Sequence, residues 1–175
     1  MSRTKVEETN LQFKSPLEER PSTIAVVIHH IGEMAGMDKN KVDAKMIHSW
    51  HLQKGWAGIA YHYVIKTDGT IQRGRPRAKK GSHALEGWNS KSLGINVVGD
   101  FNSMVPTTAQ VDALERLLAD LVDIYGFKDL NKTILAHKDV NLTECPGNNL
   151  YTILPQVRAK VKTLLGISNE GPSKP

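Results

Sequence analysis

The apolar positions of this chain fall into short runs separated by polar, glycine-containing stretches, and the period of the runs changes along the sequence. Ile24-Ala25-Val26-Val27-Ile28 is continuously apolar and rich in β-branched residues, which predicts a buried strand ending at His29. Val42, Met46, Ile47 and Trp50 then recur at helical spacing, with Asp38 or Asn40 available as the cap. Over residues 60–73 the pattern alternates. Tyr61, Tyr63 and Ile65 predict a strand, Thr67-Asp68-Gly69-Thr70 a turn, and Ile71 the returning strand of a hairpin. Leu93 to Val98 predicts a further strand. The clearest helix is predicted over 107–125, where Val111, Leu114, Leu117, Leu118, Leu121, Val122 and Tyr125 share one face. Thr107 or Thr108 caps its start and Gly126 follows its end. Residues 133–136 predict a short strand ending at His137. A last helix carries Leu154, Val157, Val161 and Leu164 on one face, with Pro155 confined to its first turn.

Strands interleaved with three helices and a hairpin predict an α/β (α+β) three-layer domain around one sheet. The expected division is a polar N-terminal arm over 1–22, one domain over 23–166, and a flexible tail or linker start over 167–175.

Composition narrows the picture only in part. The net charge of +5 suits a polyanionic partner such as nucleic acid, anionic lipid or a teichoic-acid-bearing wall, without choosing among them. No helix-turn-helix, zinc-finger spacing or aromatic RNA-binding signature is present, so no nucleic-acid partner is expected. The single cysteine, Cys145, excludes an intramolecular disulfide. The first ten residues contain no apolar stretch of the kind found in signal peptides, and no run is long enough for membrane insertion. A soluble protein made in the cytoplasm is expected. Residues 74–91 form a long basic loop. With Arg73, Arg75, Arg77, Lys79 and Lys80 in or beside it, either contact with acidic groups or simple solvation fits.

The chemistry concentrates at strand ends, where α/β folds place their sites. His29 and His137 close two predicted strands, and Cys145 follows His137 by eight residues on a loop containing Pro146 and Gly147. Two imidazoles and one thiolate form a three-ligand zinc set with a fourth position open to water, the form taken by catalytic rather than structural zinc sites. Each residue also has a plainer reading. A lone cysteine serves as a small buried hydrophobe, and His30 beside His29 shows that a strand-end histidine is not diagnostic.

The ordered segments VVIHH, GWAGIAYHYVIKTDGTIQRGR, GSHALEGWNSKSLGINVVGDFN and HKDVNLTECPG resemble the zinc amidase family that includes amidase-type phage lysozymes and the peptidoglycan recognition proteins. The resemblance spans roughly residues 24–165. It implies a mixed central sheet with flanking helices, one zinc ion, and hydrolysis of the amide bond between N-acetylmuramic acid and L-alanine. It implies His29, His137 and Cys145 as zinc ligands, with His30 facing the other side of its strand. Tyr61 matches the catalytic tyrosine, suited to orienting the attacking water or donating to an oxyanion. Thr143 stands where the phage lysozymes carry lysine and recognition-protein amidases carry threonine. His83 and Asn89 match substrate-groove or loop-anchoring positions. Glu144 is either a general base or an exposed loop acid, His62 is expected to face away from Tyr61, and His48, His51, Trp50 and Trp56 are expected as surface and packing residues. The implied partner is peptidoglycan, met by a monomer released to the wall through a separate pore, as in a phage endolysin; a bacterial autolysin is also consistent. A non-catalytic peptidoglycan-binding module is the alternative, and its typical loss of one ligand is not seen here.

Overall fold

The computed structural model describes residues 3–167 except Ala35 and Glu86, so the expected tail beyond Ile167 lies outside the described residues. Its centre is a five-stranded mixed sheet in the order β3-β2-β4-β1-β5. The strands are β1 (Ala25–His30), β2 (Tyr63–Ile65), β3 (Ile71–Arg73), β4 (Ser92–Val97) and β5 (Ile134–Ala136). Only β2 and β3 pair antiparallel, as the hairpin predicted from Asp68-Gly69; β2–β4, β4–β1 and β1–β5 are parallel. β1, at the sheet's interior, is buried at every position, which is why its sequence is apolar without a break from Ala25 to Ile28.

Three helices of ten residues or more flank the sheet: α1 (Ala44–Gln53), α2 (Thr108–Tyr125) and, after three single-turn helices, α6 (Leu154–Leu164). The short ones are α3 (Leu130–Thr133), α4 (His137–Val140) and α5 (Asn148–Tyr151). The side chains of α2 and α6 pack with Val26, Ile28, Tyr63, Ile65, Leu93 and Ile95 on one face. Val42, Ala44 and Ile47 pack with Ile59, Val64 and Val98 on the other. No helix among the described residues is long and apolar enough to cross a membrane.

Several local expectations shift. The first strand continues through His29 and His30, because their backbones pair in register with Asn96 and Val97. The cap of α1 is Asp43, whose Oδ1 accepts from Met46 N at 2.8 Å, while Asp38 caps a short 3-10 turn instead. Tyr61 does not share a face with Tyr63. Regular pairing begins only at Tyr63, so Tyr61 is free to pack against the α1-side cluster.

The residues before β1 run along the domain surface. Glu7 pairs with Gln72 and exchanges backbone hydrogen bonds with Ile71 and Arg73, so this segment covers the open edge of β3. Its acids also meet the basic cluster: Glu8 bonds Arg73, Glu18 bonds Lys80, and Glu19 bonds Lys79. Arg75 is buried and donates to the carbonyls of Ile59 and Lys80 at 2.7 Å each. The densest positive stretch of the sequence is therefore largely occupied by internal contacts rather than turned toward an acidic partner.

Helix α2 is bolted to the sheet by Gln110. Its amide accepts from Thr107 N at 3.1 Å, closing a capping box, and donates to Val98 O at 2.8 Å at the end of β4. Gln110→Leu keeps the volume but leaves both backbone groups without partners, so unfolding in urea should show a loss of about 2 kcal/mol or more.

Candidate metal centre and active site

Three segments distant in sequence deliver one donor set. β1 carries His29 on the face opposite the α2 side. Parallel pairing of Val26–Ile28 with Ile134–Ala136 brings the end of β5 alongside it, and His137 follows at once as the first residue of α4. That turn is held by Asp139, which accepts from Ala136 N at 2.8 Å and from the Tyr151 hydroxyl at 3.0 Å. The chain then loops out and returns. Lys138 N donates to Cys145 O at 2.9 Å, and His30 N approaches Cys145 Sγ at 3.4 Å. One ligand atom from each of His29, His137 and Cys145 lies within 4.8 Å of the others. A tetrahedral zinc needs such atoms roughly 3.5 Å apart, so a small contraction closes the set.

The electrostatics suit a cation. Burial above all, with the neighbouring imidazoles, holds His29 well below the ordinary histidine value, and burial also lowers His137. Both are neutral at pH 7, as ligands must be. Burial pushes the Cys145 thiol up to about 11 against the help of the His30 N–H, and no side-chain cation sits beside it. A metal ion is the charge that would hold it as thiolate.

The outer nitrogens of both histidines are engaged. His137 Nε2 lies 3.0 Å from Asn141 Oδ1, and His29 Nε2 lies 2.9 Å from His83 Nδ1. In each ring this leaves Nδ1 for a metal, and His29 Nδ1 is 3.7 Å from Cys145 Sγ.

His83 is buried beneath His29 rather than lining an open groove. Asn89 is the anchor of its loop, with Oδ1 accepting from His83 N at 2.7 Å and Ala84 N at 2.9 Å. Tyr61 stands 5.2 Å from His29, ring centre to ring centre. Burial, and secondarily Cys145, raises its hydroxyl above the ordinary phenol range, so it stays protonated and available to donate. Thr143 Oγ1 accepts from Cys145 N at 3.2 Å. Together with His30, Glu33, Asp100, Glu144 and Cys145, Thr143 lines a cavity of about 850 Å³. Glu144 is exposed on that wall. His30 faces away as expected, stacking on Phe101 and accepting from Phe101 N at 3.2 Å.

Sequence reasoning missed the parts played by four residues. His48 and His51, expected as surface and packing residues, are both buried, and their Nδ1 atoms accept from Ile59 N at 3.1 Å and Ala60 N at 3.0 Å. They thereby fix the segment that delivers Tyr61. His62 is fully buried beside His83, bonded to Gly94 N and Lys79 O. Asn96, in register with His29, is fully buried, and its amide lies next to the Tyr61 hydroxyl without a partner in full hydrogen-bond geometry. A polar residue inside the apolar run of β4 was the available signal.

A mixed-sheet domain that brings two histidines and one cysteine together at the ends of parallel strands has the form of a candidate metal centre. The N-acetylmuramoyl-L-alanine amidase family model matches residues 19–148, and the chain belongs to that family. The endolysin of Klebsiella phage KP32 is 33% identical over 142 residues, covering 78% of this chain and 89% of its own length. Peptidoglycan-recognition protein SC2 of Drosophila simulans is 38% identical over 112 residues, or 61% of this chain, which spans only 58% of that relative. Among solved structures, the endolysin N-acetylmuramoyl-L-alanine amidase LysCS of Clostridium intestinale aligns with a TM-score of 0.78 at 34% identity, covering 95% of this chain and 99% of that one.

Asn96→Leu removes an unsatisfied buried amide, so the thermal midpoint should hold or rise while amide hydrolysis falls; undiminished turnover would deny Asn96 any part in the site. The buried imidazoles also set an acid limit. Burial lowers His51 from 6.5 to about 4 and holds His62 well below 6.5. Because these folded values are depressed, the unfolded chain takes up protons first as pH falls. Stability is full above pH 6.5 and declines toward pH 4, by on the order of 1 kcal/mol per pH unit for each histidine. Urea midpoints across that window, with chelator present, check the slope.

Proposed function

We propose that this protein is a zinc-dependent amidase that hydrolyses the bond between N-acetylmuramic acid and L-alanine in peptidoglycan, acting on the cell wall as a phage or prophage endolysin or a bacterial autolysin. The observation that carries the reading is the convergence of His29, His137 and Cys145 beside Tyr61, with Cys145 on the wall of a broad cavity. The names and high coverage of the endolysin relatives support the same substrate. A binding-only role is favoured by the recognition-protein relatives, but the complete donor set weighs against it.

Bound at these three residues, zinc would supply a Lewis acid that polarises the scissile carbonyl and brings the pKa of water to about 7. The chain's own groups do the rest. Tyr61, protonated and fixed from below by His48 and His51, donates a hydrogen bond to the oxygen that gains charge as the carbonyl becomes tetrahedral. Thr143 holds the Cys145 backbone and presents its hydroxyl at the cavity wall, at the position where the phage lysozymes carry lysine. A water oxygen bonds to the carbonyl carbon, the C–N bond breaks, and the L-alanine amine departs with a proton from that water, leaving the lactyl group as a carboxylate.

Mass spectrometry of peptidoglycan digests should show stem peptides beginning at L-alanine and glycan strands with intact lactyl groups, formed with zinc and abolished by chelator. New reducing ends, or cuts between amino acids, would overturn the assignment. Tyr61→Phe should lower kcat about 100-fold with zinc content unchanged. Cys145→Ser should lose zinc and turnover yet remain folded, since Cys145 belongs to neither hydrophobic cluster.

A further inference from the structure

We propose that the loop over 81–89 is a clamp that presets the metal centre, with His83 as a positioning residue that fixes the tautomer of His29 rather than a residue that binds substrate. The inference rests on the reading of His29, His137 and Cys145 as metal ligands.

A neutral imidazole has one N–H and one lone pair. If His29 gives its Nδ1 lone pair to a metal, its proton must sit on Nε2. That nitrogen is 2.9 Å from His83 Nδ1, so His83 must accept there. The proton of His83 then belongs on its own Nε2, which is buried next to the Ser92 backbone without a partner in hydrogen-bond geometry. One hydrogen bond between two buried rings thus settles the protonation of both. A ligand histidine ordinarily donates its outer N–H to a carboxylate, a carbonyl or water. Here the acceptor is a second imidazole, supplied from a loop.

That ring is locked in place. Its edge lies on Gly94 of β4, where a Cβ would come within 2.6 Å of the His83 ring, and Gly81 faces the same ring from the loop. The ring plane is nearly perpendicular to that of His29, at 84° with centres 4.9 Å apart. Asn89 holds the backbone of the loop through two N–H groups.

The same loop reaches the second histidine. Leu85 N donates to Asn141 Oδ1 at 3.0 Å, and that oxygen is the partner of His137 Nε2. The outer nitrogens of both ligand rings are therefore held through one segment, which contributes no ligand itself. His83 packs against His29 and is only 6% exposed, which leaves little of its ring for a muramyl peptide to touch.

The test measures zinc affinity of the full chain by chelator competition, without substrate, for the wild type, His83→Phe, His83→Asn and Asn89→Ala. His83→Phe fills the space but cannot accept, and it should weaken zinc roughly 10–100-fold. His83→Asn restores an acceptor and should recover part of the loss. Asn89→Ala, which leaves the ring untouched, should weaken zinc in the same direction by less and keeps the test open if His83→Phe fails to fold. Nitrogen-detected NMR should place the His29 proton on Nε2 in the zinc form. At saturating zinc, KM for a muramyl peptide should be unchanged in the folded variants. Wild-type zinc affinity in His83→Phe, or in Asn89→Ala if His83→Phe does not fold, would overturn the clamp, as would a raised KM alone. Those results leave the amidase reading standing, because product analysis of the wild type judges it separately.

Discussion

The functional geometry hangs on the parallel pairing of β1 with its two neighbours. Residues 29, 137 and 145 are brought together because Val26–Ile28 lie in register with Ile134–Ala136 on one side, while His29 lies opposite Asn96 on the other. A one-residue slip would turn His29 into the α2-side core and place His30 at the metal centre. The unbroken burial of β1 protects against that slip, since every residue from Ala25 to Ile28 is already committed to a packed face.

Around this frame the protein uses neutral imidazoles as structural acceptors. His48, His51 and His62 each take a backbone N–H, and each lies in or against a segment that leads to the site. The arrangement gives rigid, short-range positioning without a buried charge. It also ties the integrity of the site to conditions in which His51 and His62 stay unprotonated.

How much of this was legible in the sequence depends on whether the signal was periodic or tertiary. The strand at residues 25–28, the hairpin at Asp68-Gly69 and helix α2 announced themselves through run length, turn chemistry and a 3.6-residue period. The three residues of the candidate metal site were readable from strand-end placement and ordered motifs, and the fold brings them together. What stayed hidden was partnership across the chain. Nothing local tells His83 from a loop histidine, because its burial comes from Gly94 and His29, eleven and fifty-four residues away. His48 and His51 carry the same spacing as a helix surface, and only the 59–60 segment folding onto them makes them interior. The basic cluster read as available charge because its counter-charges lie some sixty residues earlier.

The segment along β3 has a further meaning for the life of the molecule. By lying on that strand with its own backbone, residues around Glu7 occupy the hydrogen-bonding groups that a second unfolded or partly folded chain would otherwise seek. The sheet is thus sealed by a segment that lies some sixty residues before the strand it covers. Until that long-range closure forms, the edge of β3 is an open template for pairing with a second copy, so the hazard ends only when the two distant segments meet.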